Sequence, residues 1–213
     1  MIISPGRGYV FVHIPKTGGT SMALALEARA KADDILIGDT PKAKRRRRRL
    51  DGARAAGRLW KHSTLSDVRG LLPDAVLDEL VPVTLVRNPW DRMISYHAWL
   101  RDQDFPHPAV ALSKQLSLAA FLRAPQVAEA IAGNPASRYV AGAVQMPIFI
   151  RLEHLKTDAA PFEDLLRFPL DMPHVNRSRA SRTRQDAYDP DTRDLVGRLC
   201  AADIAQFGYS FDV

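Results

Sequence analysis

The chain has 213 residues, of which 46% are hydrophobic and 25% charged, and these proportions exclude a disordered chain and fit one domain spanning residues 1–213. Its longest apolar runs are far shorter than the ~20 residues of a membrane span, and no secretory signal opens it. The single cysteine, Cys200, excludes an internal disulfide and favours a reducing, cytoplasmic setting.

Positive charge is concentrated in one segment. Residues 42–61 contain ten lysines and arginines and one acid, a net charge of +9, whereas the whole chain carries +6. We predict a basic loop or solvated helix at about 41–61. Charge runs of this kind are usually solvated surfaces. The alternative is that the run, with its five arginines Arg45 to Arg49, forms an electropositive surface that recruits an anionic partner.

The predicted elements begin with a strand at 9–14, a loop at 15–21 and a helix at 22–31, because a β-branched and aromatic run precedes a Gly-Gly pair and then Ala, Leu and Glu. Strands alternating with helices predict an α/β domain with a central parallel sheet flanked by helices. The remaining expected strands are 35–37, 81–86 and 146–152, the expected helices are 64–72, 74–80, 88–102, 117–123, 126–132, 162–168 and 192–207, and a surface loop is expected at about 171–191.

The first motif follows the first strand. Glycines let a backbone approach an anion closely, and the N-terminus of a helix offers free N–H donors. A lysine adds a point charge and the hydroxyls add donors, which together indicate a phosphate cradle. The order differs from a Walker A loop, where the lysine follows the glycines. The alternative is a Gly-Gly turn with an exposed lysine. The residues of this loop are Pro15, Lys16, Thr17, Gly18, Gly19, Thr20 and Ser21.

The second motif, Arg87-Asn-Pro-Trp-Asp-Arg-Met-Ile-Ser95, follows the strand at 81–86. Arg87 leaves the carboxyl end of that strand, where open parallel sheets bind ligands. Ser95 lies about two helical turns further on, so a guanidinium and a hydroxyl could together hold a second phosphate. The alternative is that both residues are surface positions.

Together the two motifs resemble the sulfotransferases that use 3′-phosphoadenosine 5′-phosphosulfate, and most closely the carbohydrate branch with its heparan 2-O-type enzymes and soluble bacterial members. The resemblance implies a P-loop-like sulfotransferase fold and transfer of a sulfuryl group from that donor to a hydroxyl, without a metal. It implies that residues 15–21 bind the 5′-phosphosulfate, that Arg87 and Ser95 bind the 3′-phosphate, and that Arg177 contributes from a nucleotide-covering loop at about 171–191. Animal members carry an N-terminal membrane anchor, whereas here the first strand begins within ten residues of Met1, which suggests a bacterial enzyme.

Sulfuryl transfer needs a base for the acceptor proton and a cation for the charge that develops on the leaving phosphate oxygen. Lys16 is the expected leaving-group stabiliser. His62 matches the position where related enzymes carry a catalytic histidine, and its neutral form suits a base near pH 7; the alternative is a capping or surface histidine. Glu153 is the second candidate base, and His13 is expected to be a buried core histidine.

The expected partners are a hydroxyl-bearing acceptor, which could be an anionic glycan, and no nucleic acid. Two other functions compete with a sulfotransferase. A P-loop kinase would need a lysine after the glycines and an aspartate at the end of the second long strand, where this chain has Arg87. A non-catalytic polyanion-binding module built on residues 42–61 would leave the residues of the first motif without a role.

Overall fold

The computed structural model describes residues 1–173 and 183–212. Arg177, His174 and the centre of the expected nucleotide-covering loop lie outside the described residues. The chain separates into two compact units, each with its own hydrophobic core. The described part of the first unit is residues 1–86 and 136–173, and that of the second is residues 87–135 and 183–212.

A five-stranded sheet forms the centre of the first unit. In spatial order its strands are β3 (Ile35–Leu36), β1 (Ile2–Ser4), β2 (Tyr9–Val12), β4 (Val81–Val86) and β5 (Ile148–Arg151). β2, β4 and β5 are parallel neighbours, with Val12 opposite Thr84 and Thr84 opposite Phe149. Because these strands run in the same direction, the chain leaves all three at one edge of the sheet.

The expected α/β class is confirmed, but the sheet is mixed where a parallel sheet was predicted. β1 pairs antiparallel with both β2 and β3, with Ile2 opposite Phe11 and opposite Leu36. β1 was not predicted at all. It has only three residues, all buried, and its strand state depends on hydrogen bonds to two neighbours that no local pattern reveals.

The core of the first unit forms where helices pack on this sheet. Tyr9 and Phe162 meet edge to face, with ring centroids 5.2 Å apart. Met22 and Leu26 of the first helix belong to the same buried cluster. The α-helices of the described part of this unit are α1 (Gly19–Ala28), α2 (Pro41–Arg46), α3 (Asp74–Glu79), α8 (Ala136–Tyr139), α9 (Leu155–Asp158) and α10 (Ala160–Leu166).

Helices alone build the described part of the second unit. Asn88 caps its first helix, accepting a hydrogen bond from the Trp90 N–H at 3.2 Å. The single helix expected at 192–207 is two helices separated at Cys200. The helices are α4 (Pro89–Arg101), α5 (Pro108–Gln115), α6 (Leu118–Arg123), α7 (Pro125–Ala132), α11 (Arg184–Ala187), α12 (Pro190–Leu199) and α13 (Ala201–Phe207).

Within residues 1–173 and 183–212, none of the helices has the length and apolar character needed to cross a bilayer.

Candidate active site

The loop between β2 and α1 has an unusual backbone. Lys16 has a φ of +67° and Gly18 one of +88°. The left-handed region costs a residue with a side chain about 1–2 kcal/mol, so the fold holds Lys16 there against its own preference. The Thr17 hydroxyl, which was expected to face an anion, donates instead to the Ile14 carbonyl oxygen at 2.9 Å and is buried. This hydrogen bond joins residue 17 to residue 14, and Lys16 lies within the turn that it closes, in the left-handed conformation.

The two glycines are required by packing as well as by conformation. A Cβ on Gly18 would come within 3.0 Å of the Leu152 side chain, at a φ that already favours glycine. A Cβ on Gly19 would lie 2.1 Å from Cδ2 of His13. The His13 ring therefore occupies the space that a side chain at position 19 would take, and it lies directly against the first turn of α1.

The N-terminus of α1 faces the same loop. The N–H groups of Ser21 and Met22 donate to the Gly18 carbonyl oxygen at 3.1 and 3.4 Å. Helix geometry gives the N–H groups of Gly19 and Thr20 no acceptor within the helix. These two donors, the positive end of the helix dipole and Lys16 together can bind one phosphate-sized anion.

His62 is held at this loop by His13. Its Nδ1 lies 2.8 Å from the His13 carbonyl oxygen, and the two rings meet edge to face with centroids 4.6 Å apart. Because a carbonyl oxygen only accepts, Nδ1 carries the proton and Nε2 presents the lone pair. His62 thus has the tautomer that a general base needs.

The sequence predicted that His13 belongs to the core. It is buried, at 7% exposure, but it also orients the candidate base. The position of His13, two residues before Pro15, is the sequence feature that could have indicated this second role.

Both histidines are disposed to remain neutral. Burial lowers the pKa of His62 to about 4, the charge of Lys61 adds to the shift, and the hydrogen bond to His13 opposes it. Burial also holds the pKa of His13 well below its ordinary value, with His62 as the next contributor. Desolvation, and not neighbouring positive charge, is the largest cause of the shift in the pKa of His62.

Glu153, the second candidate base, lies on a 3₁₀ turn, Leu152–His154, directly after β5. Its neighbour Leu152 contacts the phosphate loop at Gly18, and Glu153 itself is exposed. The turn is fixed by Arg151, whose guanidinium contacts the Asp158 carboxylate at 2.7 and 3.1 Å. The carboxylate of Glu153 is therefore on the same sheet edge as the loop, in contact with water.

Arg87 and Ser95 belong to the second unit. Arg87 is half-buried immediately before the Asn88 cap of α4, and Ser95 lies two turns into that helix at 5% exposure. Seven residues bring Ser95 back to the same side of α4 as Asn88, about 10 Å along the axis. Arg87 stands directly before that cap, so it and Ser95 both belong to the amino-terminal part of α4. Arg92 has another partner, Asp203, at 3.9 Å.

The basic segment divides into two sets of side chains. Lys42, Arg46 and Arg49 donate to the backbone carbonyl oxygens of Glu27, Lys31 and Ala32, and Arg46 does so at 2.8 Å. These carbonyls lie at the carboxyl end of α1 and in the turn that follows it, where cations stabilise a helix. A second set, Lys44, Arg45, Arg47 and Arg48, is exposed. The first set therefore contributes contacts to the fold and is more than the solvated surface that such charge runs usually form.

We expect the two sets to respond differently to substitution. The triple variant Lys42→Ser/Arg46→Ser/Arg49→Ser should lose about 1–3 kcal/mol of unfolding free energy, because three charge-assisted hydrogen bonds to carbonyls disappear. The matched variant Arg45→Ser/Arg47→Ser/Arg48→Ser removes the same net charge and should unfold at the wild-type urea concentration. Equal losses in both variants would show that net charge, and not the carbonyl contacts, determines the effect.

The structure is similar to solved structures of other proteins. One is the crystal structure of mouse sulfotransferase SULT7A1 complexed with PAP, with a TM-score of 0.51, 15% sequence identity, and coverage of 95% of this chain and 85% of that chain. The protein therefore has a sulfotransferase fold. No protein-family model and no curated protein matches the chain.

Across the described residues, no cluster of three or more histidine, cysteine or acidic side chains could hold a metal ion.

Proposed function

We propose that the protein is a sulfotransferase that moves a sulfuryl group from 3′-phosphoadenosine 5′-phosphosulfate to a hydroxyl group of a carbohydrate. The observation that carries the proposal is the joint arrangement of the β2–α1 loop and His62 within a sulfotransferase fold. That loop offers an anion-binding helix N-terminus and a lysine, and His62 offers a neutral ring whose tautomer is fixed by the residue that leads into the loop.

Each group has one role in the proposed reaction. The loop from Pro15 to Ser21 binds the 5′-phosphosulfate, and Arg87 and Ser95 bind the 3′-phosphate. The acceptor hydroxyl loses its proton to Nε2 of His62 as its oxygen forms a bond to sulfur. The bond between sulfur and the bridging oxygen breaks, and Lys16 stabilises the charge that this oxygen gains. Glu153 remains the alternative base.

An acidic carbohydrate acceptor fits the charge distribution. The exposed cations Lys44, Arg45, Arg47 and Arg48 leave a positive surface on the same unit as the candidate base. Such a surface raises the local concentration of an anionic substrate at low salt. The one cysteine, Cys200, is buried, which is compatible with a reducing compartment, and we propose the cytoplasm of a bacterium.

The test is to measure which nucleotide stabilises the protein. Adenosine 3′,5′-bisphosphate should raise the melting temperature in the presence of EDTA, because a ligand that binds only the folded state stabilises it. Mg-ATP should do so if the protein is a P-loop kinase, and neither should do so if it is a polyanion-binding module. A melting temperature that responds to Mg-ATP alone, or to neither nucleotide, would reject the sulfotransferase.

The same assay tests the assignment of the 3′-phosphate. Arg87→Ala removes a charge-assisted contact worth about 2–3 kcal/mol, so adenosine 3′,5′-bisphosphate should bind about 30- to 150-fold more weakly by titration calorimetry. Arg101→Ala, at the other end of α4 and exposed, is the matched control and should bind normally. Wild-type affinity in Arg87→Ala would place the 3′-phosphate elsewhere.

A further inference from the structure

A tight turn holds three side chains in a row beside the phosphate loop. Ser63 is fully buried, and its hydroxyl accepts from the Trp60 N–H at 2.9 Å and lies 2.8 Å from the Arg58 carbonyl oxygen. The Ser63 N–H donates back to the Trp60 carbonyl oxygen at 3.0 Å. Because one buried hydroxyl binds both ends of the turn, the positions of Arg58, Trp60 and His62 are fixed relative to one another.

Trp60 is the centre of that row. Its indole meets the ring of His62 edge to face with centroids 5.0 Å apart, and the Arg58 guanidinium lies 5.2 Å from the indole centroid. The residue is 42% exposed. A lone exposed aromatic residue is ordinary on a protein surface. This one contacts both the candidate base and a guanidinium, so its exposed surface lies directly beside His62.

We infer that Trp60 and Arg58 form the acceptor-binding platform of the enzyme, specific for a sugar that carries an anionic group. The apolar C–H groups of a sugar ring would lie on the exposed indole. A carboxylate or sulfate would pair with the Arg58 guanidinium, whose planar fork matches these groups. A hydroxyl on the other side of the ring would then face His62.

The spacing fits one residue of a glycan. The indole centroid lies 5.0 Å from the imidazole centroid and 5.2 Å from the guanidinium carbon, so one sugar residue on the indole would be within reach of both groups. The anionic group that pairs with Arg58 would therefore belong to the acceptor sugar itself or to its immediate neighbour. A guanidinium in contact with the ligand discriminates between charged and neutral sugars more sharply than the exposed Lys44, Arg45, Arg47 and Arg48, whose long-range field is screened by salt.

This inference rests on the proposed function, and its test measures sugar binding without turnover. The probes are a tetrasaccharide of alternating uronic acid and hexosamine and its carboxyl-reduced, neutral counterpart, titrated into the protein with adenosine 3′,5′-bisphosphate present. Wild type should prefer the acidic probe. Trp60→Leu keeps an apolar side chain against His62 and should bind both probes about tenfold more weakly, as expected for loss of an aromatic anchor. Arg58→Gln should bind both probes alike.

Phe105→Ala is the matched control, because Phe105 is 45% exposed and also contacts a histidine and a tryptophan, His107 and Trp99. It should bind both probes as wild type does. Wild-type sugar binding in Trp60→Leu and Arg58→Gln, or no binding of either probe by wild type, would overturn the platform. Neither result affects the nucleotide-dependent melting shift, so failure of the platform and failure of the sulfotransferase assignment are distinguishable.

Discussion

Replacing His62 with alanine will reduce turnover by about 10²–10⁴-fold and leave the binding of adenosine 3′,5′-bisphosphate unchanged. This is the ordinary effect of removing a general base that does not contact the donor. The hydrogen bond from Nδ1 to the His13 carbonyl oxygen fixes the tautomer, and burial keeps the ring neutral. The measurement is kcat with a saturating acceptor beside the nucleotide affinity by calorimetry.

Two further variants separate proton transfer from packing. His62→Asn can keep a hydrogen bond to the His13 carbonyl but cannot take a proton, so its turnover should be as low as that of His62→Ala. His154→Ala removes an exposed histidine from the turn after β5 and should retain full activity. Turnover within a few-fold of wild type in both His62 variants would move the base to Glu153.

The pH dependence follows from the direction of the His62 pKa shift. A base works in its deprotonated form, and the pKa of His62 is lowered to about 4, so kcat/KM should stay level as the pH falls through 6 and decline only near 4. An unshifted histidine would lose half its activity near pH 6.5. Since carboxylic acids also titrate near pH 4, the profile is to be measured with Glu153→Gln alongside, which should keep both the rate and the acidic limb.

Replacing Lys16 with glycine will lower turnover by about 10²–10³-fold while leaving the protein at least as stable. Charge on the leaving oxygen is greatest in the transition state, so the loss should appear in kcat more than in donor affinity. The stability expectation has a separate cause. Lys16 occupies a φ of +67°, which glycine adopts without steric cost, so Lys16→Gly should gain up to about 1 kcal/mol or remain level in urea.

The comparison variant for this position is Lys16→Ala, which removes the same charge and keeps the backbone penalty. Both variants should lose the same turnover, and only Lys16→Gly should be relieved of strain. Donor affinity falling in parallel with an unchanged kcat would make Lys16 a ground-state binding residue. A loss of stability in Lys16→Gly would show that the left-handed backbone is not strained by its side chain.

The elements around the two motifs could be read from the sequence because local chemistry determines them. The run before Pro15 is apolar and β-branched, and the helix after Gly18 is rich in good helix formers, so a strand and a helix were expected at 9–14 and 22–31. They are found at Tyr9–Val12 and Gly19–Ala28, the helix three residues earlier than expected. Asn88 and Pro89 mark the start of α4 in the same way, and the Asn88 side chain caps the helix by accepting from the Trp90 N–H. The fold class and the sulfotransferase resemblance both follow from these segments.

Tertiary contacts decided the rest. Ile2–Ser4 is a strand only because two neighbours pair with it, and those antiparallel pairs make the sheet mixed. The division of the basic segment depends on carbonyls at the end of α1 that meet Lys42, Arg46 and Arg49 across the fold. Identical residue types therefore have different roles within one run, and composition cannot separate them.

The residues of the candidate site also divide into those that the sequence indicates and those that only the fold reveals. The sequence by itself determined which residue types could bind an anion and which histidine could act as a base, because Lys16, the glycines and His62 stand in recognisable local settings. Only the tertiary structure decided that His13 fills the space beside Gly19 and fixes the tautomer of His62, because the two histidines are 49 residues apart and meet through the fold alone. Burial, which lowers the pKa of His62, is likewise a property of packed neighbours and not of adjacent residues.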